Sequence, residues 1–259
     1  MNYEFILVQR EDAVTVVTIN RGAVRNALNA AAHLELEHAF DAFEHDDDQK
    51  LAILTGAGDK AFCAGYDLKQ QPTSSGLPAL PKTGFAGLTS RVGLNKPVIA
   101  AVNGLALGGG FETALACDIL LAGKNAIFGF PEPRIGWATL AGGMHRLPRE
   151  IGLKRAMGLL LTGRHVGAEE GLALGFINEV VDGDVLNAAH RWARDLLGCG
   201  PLAVKATKEA VLKGLGLPVH AAIEASWEYP TVKAMLSSED AVEGVLAFNE
   251  KRPPRWRGV

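Results

Sequence analysis

The stretch NKPVIAAVNGLALGGGFETALACDILLAG, residues 95–123, decides how this chain is read. Residues 98–102 are all apolar and stop at Asn103, the mark of a strand buried on both faces. Residues 119–121 read the same way. Between them, Gly108, Gly109 and Gly110 lead into a segment that is apolar or small on every side, as a buried helix is. One residue there is out of place. Glu112 puts a carboxylate where almost everything around it is apolar, a costly arrangement unless the group is paired or functional. The glycines before it leave the N–H groups of the helix's first turn pointing outward and unpaired.

Working outward, residues 51–55 form another run, apolar up to its closing Thr55, and residues 4–8 and 13–20 alternate like a hairpin joined by the charged turn 9–12. Residues 30–46 carry Leu34, Leu36, Ala39, Phe40 and Phe43 at helical spacing. Repeated strand, turn and helix with buried strands predict an α/β fold with parallel pairing and right-handed crossovers. Residues 70–89 break the pattern with Pro72, Pro78, Pro81, three glycines and two adjacent serines. A loop this long inside a domain is commonly functional, so it is expected near the site entrance. From about Glu150 the chain becomes mostly helical, with helices expected over 168–174, 184–197, 201–212, 219–236 and 238–248 and a strand over 177–181.

The composition excludes several classes. The chain has 259 residues, 48% hydrophobic, with a net charge of −3, which builds a full core and argues against a nucleic-acid binder with a basic face. Cys63, Cys117 and Cys199 are too far apart for a zinc site and odd in number, so small buried hydrophobes in a reducing, cytoplasmic setting are expected. No targeting segment is read, and no apolar run nears the roughly 18 residues a membrane helix needs.

Several motifs fail. Residues 104–110, GLALGGG, lack the G-x-G-x-x-G spacing of a dinucleotide site. His33, Glu37 and His38 share a helix, and a His–Glu pair four apart could hold a metal, but the pattern reads as a solvated face. His145 has no Ser or Cys partner in sequence. Glu132 is different: it lies between Pro131 and Pro133, directly after an apolar strand. Two desolvated carboxylates sharing one site push their pKa values apart, which supplies an acid and a base. A second glycine-containing turn, residues 61–67 (AFCAGYD), follows the buried strand 51–55. Two backbone N–H donors converging on one oxygen make an oxyanion hole.

Taken in order, AFCAGYDLK, the 95–123 stretch, FGFPEPRIG with AGGMHRLPREIG, LTGRHVGAEEGLALGFINEVV and SEDAVEGVLAFNEKRPPRW resemble the enoyl-CoA hydratase (crotonase) family from about Asn20 to the C-terminus. The resemblance implies a crotonase-like spiral of ββα turns (residues 1–195) and a C-terminal helical trimerisation region (196–259), assembled as a trimer or a dimer of trimers. It implies an oxyanion hole from the N–H groups of Ala64 and Gly109, and catalysis by Glu112 and Glu132, twenty residues apart. Ala64, Gly65, Tyr66 and Asp67 would lie along the pantetheine and adenine, with Ala27 and Leu28 lining the same channel. Phe248 and Lys251 would reach the CoA of an adjoining subunit. Neither a metal nor a redox cofactor is implied, coenzyme A being part of the substrate.

The implied reaction is reversible addition of water to a 2-enoyl-CoA. The alternatives are isomerisation through the same enolate, a carnitinyl-CoA-type dehydration and, from another class, an RNA-binding relative. Hydration is preferred over isomerisation because the latter needs only one mobile carboxylate. The chain departs from the family at Leu140, which stands where a glycine is usual, at the bulky Trp137 and at Pro133. These positions bear on the acyl group rather than on the reaction class.

Overall fold

The computed structural model describes residues 3–70 and 80–259. The chain divides into a larger unit, residues 1–92 with 98–190, and a smaller one, residues 93–97 with 191–259. Along the larger unit run β1 (Ile6–Glu11), β2 (Val14–Ile19), α1 (Ala30–His45), β3 (Leu51–Gly56), β4 (Ala61–Cys63), β5 (Val98–Val102), β6 (Leu105–Leu107), α2 (Gly109–Ala116), β7 (Ile119–Gly123), β8 (Ile127–Gly129), α3 (Gly143–Ile151), α4 (Leu153–Thr162), β9 (His165–Gly167), α5 (Ala168–Leu174) and β10 (Glu179–Val181).

Among the described residues the strands form two sheets, ordered β1-β2-β3-β5-β7-β10 and β4-β6-β8-β9. β3, β5 and β7 are parallel neighbours in the first, and β4, β6 and β8 in the second. The chain therefore visits the first sheet, then the second, then a helix, and repeats. That is the ββα spiral. The expected buried strands follow from their composition: every residue of β3 and β5 is buried. Phe111 of α2 packs against Phe128, Phe130 and Phe176 with ring centroids 4.7–5.1 Å apart, which ties α2 to the strand pair beside it.

Several expectations are corrected. The β1–β2 turn is only Asp12 and Ala13, with Asp12 left-handed at φ 52°, because the ladder continues to Glu11 opposite Val14. Asn29 caps α1 by accepting from Ala32 N–H at 2.9 Å, and the helix buries His33, Leu36, Phe40 and Phe43 while Leu34 faces out. The solvated face expected for His33 is thus wrong. The 70–89 segment is described only in part: residues 71–79 lie outside the described residues, while Phe85–Gly87 form a single tight turn. α3 and α4, with Pro148 inside α3, were not marked out by periodicity.

α6 (Val185–Leu197) begins in the larger unit and ends in the smaller, which continues with α7 (Pro201–Gly214), α8 (Val219–Ser226), α9 (Pro230–Leu236) and α10 (Glu239–Glu250). The single helix expected over 219–236 is two, because the residue before Pro230 is disfavoured in the helical region and Tyr229 is extended (ψ 136°). The C-terminal tail folds back on this unit: Asp240 accepts from Arg257 and Gly258 N–H groups at 2.7 and 2.8 Å, and Trp256 Nε1 donates to the Gly198 carbonyl at 2.9 Å. Among the described residues no helix is long and apolar enough to cross a membrane.

Candidate active site

The three parallel neighbours β4, β6 and β8 each end in a chemically loaded segment. β4 leads into Ala64, Gly65 and Tyr66, β6 into Gly108, Gly109 and Glu112, and β8 through Phe130 and Pro131 into Glu132. Adjacent strands lie about 4.8 Å apart, so these ends stand side by side within reach of one small molecule. They open on a cavity of about 340 Å³, lined mainly by apolar groups, that belongs to the larger unit alone. Glu112 and Glu132 both line it, with Tyr66, Phe85, Trp137 and Leu140 among the walls.

The three glycines at the start of α2 permit three close approaches. A Cβ on Gly108 would lie 2.8 Å from Glu132 Oε1, on Gly109 2.5 Å from the Phe85 ring, and on Gly110 2.0 Å from the Cys63 carbonyl oxygen. The α2 backbone is thereby pressed onto the second carboxylate, an aromatic wall and the end of β4.

Glu112 is only 3% exposed. Its Oε1 accepts from Gly143 N–H at 2.8 Å, at the first turn of α3. Burial pushes its pKa up to about 7, with the neighbouring Glu132 adding to the rise, against the lowering effects of the Gly143 and Ala141 N–H groups and the Arg146 guanidinium. Burial also raises Glu132, while the Thr139 hydroxyl donates to it and opposes the rise. Its Oε2 is buried with no hydrogen-bond partner among the described residues. One carboxylate is anchored, then, and the other keeps an oxygen free for chemistry. Cys63 is no competing nucleophile, since burial pushes its thiol up to about 12.

One expected donor is corrected. Ala64 N–H donates to the Arg25 carbonyl at 3.1 Å and is not available to a ligand. In the same segment Leu28 N–H donates to Gly65 O and Asp67 N–H to Leu28 O, which leaves Tyr66 N–H without a protein acceptor among the described residues. Tyr66 lines the cavity beside Gly109, so the free N–H pair is Tyr66 and Gly109.

Other expected positions fall in different surroundings. Ala27 and Leu28 are buried, and Asp67 is 5% exposed, its carboxylate paired with Arg21 at 3.0 Å. These three support the β4 turn and are not in the cavity lining. Trp137 and Leu140 line it, and both are exposed residues. Phe248 and Lys251 belong to the smaller unit, with Phe248 83% exposed. Sequence reasoning missed the N–H groups that seat Glu112, the Phe85 wall, and Arg146, whose Nη2 donates to Thr89 O at 2.9 Å. The glycine pair before M-H-R was the available signal for a helix start at that point.

Known proteins of this architecture are numerous and agree. The chain is 40% identical over 262 residues to a carnitinyl-CoA dehydratase of Escherichia coli strain K12, with 98% of this chain and 99% of that protein covered. An enoyl-CoA hydratase of Mycobacterium tuberculosis H37Rv superposes with a TM-score of 0.91 at 39% identity, covering 98% and 99% of the two chains. An enoyl-CoA hydratase of Bacillus anthracis gives 0.90 at 34% identity, covering 99% and 100%. A family model described as enoyl-CoA hydratase/isomerase matches residues 9–259, so with both its sheets and its motifs accounted for, the chain belongs to the enoyl-CoA hydratase/isomerase family.

Proposed function

We propose that this enzyme adds water reversibly to a 2-enoyl-CoA to give a 3-hydroxyacyl-CoA. The observation that carries the reading is the asymmetry of the two carboxylates in one cavity of mainly apolar lining: Glu112 seated on backbone N–H groups, Glu132 with a buried oxygen that has no partner among the described residues. The thioester oxygen sits between the Tyr66 and Gly109 N–H groups, which strengthen their hold as enolate charge develops; one such donor is typically worth about 2.7–4 kcal/mol of barrier. Ionised Glu112 takes a proton from the attacking water. Glu132 delivers a proton from Oε2 to the α-carbon, and the roles reverse in dehydration. These steps use carboxylates and backbone N–H groups alone.

Trp137 and Leu140 wall the acyl end, which favours a non-standard acyl group over the short straight crotonyl chain. A second reading, dehydration of a carnitinyl-type thioester, is favoured by the aromatic rings of Tyr66, Phe85 and Trp137 in a lining whose charged members, among the described residues, are two carboxylates, suited to a quaternary ammonium. A panel of enoyl-CoA thioesters, straight, branched, aromatic and trimethylammonium-bearing, followed by loss of the conjugated absorbance, tests both. No turnover of any member would sink the proposal.

We place the enzyme in the cytoplasm as a homotrimer or dimer of trimers, without nucleic-acid or membrane partners. Three cysteines that form no disulfide, of which only Cys63 is buried as expected while Cys199 is exposed, and the exposed Trp227, Val245 and Phe248 of the smaller unit support this. Phe248 and Lys251 would then serve the CoA of an adjoining subunit, with Lys251→Ala weakening CoA binding and leaving saturated turnover intact. A monomeric mass by light scattering overturns the assembly.

A further inference from the structure

His33 of α1 is wholly buried, and no step proposed above uses it. Ala86 N–H donates to its Nδ1 at 3.0 Å. Nδ1 therefore offers a lone pair, and the neutral ring carries its proton on Nε2. Nε2 has no partner. A buried donor without an acceptor is costly, and a phenylalanine would fill the same space without that cost. What imidazole offers over phenyl is the acceptor for Ala86.

Ala86 needs holding. Its φ of 54° lies in the left-handed region, between Gly84 at 83° and Gly87 at 67°. The turn is clamped to α1, for a Cβ on Gly87 would lie 2.6 Å from Glu37 Cα, and Phe85 N–H is fixed on Thr89 Oγ1 at 2.8 Å. The Phe85 ring is thereby delivered between two neighbours. It meets His33 edge-on, centroids 4.4 Å apart, and packs on Gly109 so closely that a Cβ there would sit 2.5 Å from it. His33 also stacks with Tyr66 at 5.8 Å and 22°. One imidazole thus touches the residue bearing one free N–H and the ring that packs on the other.

We infer that His33 is a positioning residue: through Phe85 and Tyr66 it sets the spacing of the Tyr66 and Gly109 N–H groups without touching substrate. The inference rests on those two groups being the thioester donors. Difference infrared spectroscopy of a bound enoyl-CoA carbonyl, with steady-state kinetics, tests it on the full-length enzyme. In the wild type the carbonyl band moves to lower frequency on binding. His33→Phe keeps the ring and loses the acceptor; its band shift shrinks and kcat falls about ten- to a hundredfold, the scale of a small misplacement, with KM within about twofold. His33→Asn, whose Oδ1 can accept from Ala86, stays within about threefold of wild-type kcat. Where His33→Phe does not fold alone, it is measured on an Ala86→Gly background, where φ 54° carries no strain, against Ala86→Gly itself. A wild-type band shift and kcat in the His33→Phe form, or an equal loss in His33→Asn, overturns the inference. An unshifted carbonyl in the wild type overturns the donor assignment instead.

Discussion

Gly143 N–H donates to Glu112 Oε1 at 2.8 Å, so a carboxylate on one buried helix closes the open first turn of another. The bond favours the ionised acid, yet burial is the larger effect and leaves Glu112 near 7. Unfolding returns it to its ordinary range. Between pH 4.5 and about 7 the folded protein keeps a proton that the unfolded chain has lost, so this group's contribution is fully present below pH 4.5 and is lost as pH rises through 7, on the order of 3 kcal/mol in all. Urea unfolding of the wild type against Glu112→Gln across that range should show the difference growing with pH in favour of the variant. Equal pH slopes would contradict the raised pKa.

Activity should run the other way. Glu112 must be ionised to take a proton from water, so kcat/KM for hydration should fall as pH drops through about 7, as a macroscopic property of the Glu112–Glu132 pair. A rate that is flat from pH 5.5 to 8 would remove Glu112 as the base.

Glu132→Gln keeps the shape of the side chain and removes its proton. Exchange of the α-proton with deuterated solvent should drop by about 10²–10⁴, while product-CoA affinity by calorimetry stays nearly unchanged. Glu112→Gln should suppress hydration more than any residual isomerisation. Wild-type hydration by both variants would refute the two-carboxylate mechanism.

Glycine substitutions separate packing from propensity. Gly110→Ala drives a Cβ to 2.0 Å from the backbone oxygen of Cys63 and should prevent stable folding or lower Tm steeply. Gly158→Ala on α4 meets nothing within 4 Å and should stabilise by about 0.5–1 kcal/mol. Thermal melts of the two variants side by side check both, and similar Tm values would show that α2 is not pressed on β4.

Leu140→Gly removes a side chain from the acyl end of the cavity and should raise turnover of short straight enoyl-CoA relative to larger esters by about 10–200-fold, the scale of one or two badly placed methylenes. A wild type that prefers crotonyl-CoA to every branched and aromatic ester, unaltered by Leu140→Gly, would sink this.

Much of the fold was legible because its signals are local. The run 98–102 is β5 residue for residue, 168–174 is α5, and Glu112 stands out as a charge in an otherwise apolar helix. The free donor was not legible. Which N–H of AFCAGYDLK remains open depends on pairing with Arg25 and Leu28, a segment distant in sequence, with Arg25 and Asn26 left-handed. His33 could have been found, since it shares a helical face with Leu36, Phe40 and Phe43; two neighbouring acidic and histidine side chains drew the reading toward solvent. The break at Pro230 was also written in the sequence, and apolar periodicity masked it.

The side-by-side ends of β4, β6 and β8 divide the labour of the site by strand. On the proposed mechanism the enolate cradle would be shared by the segments after the first two, the water's base would come with the second, and the proton donor with the third alone. A turn after β8 can therefore be rewritten, moving or deleting its acid, while the cradle stays untouched. An architecture with that property can change its product one turn at a time, each step passing through a protein that still folds and still grips its thioester.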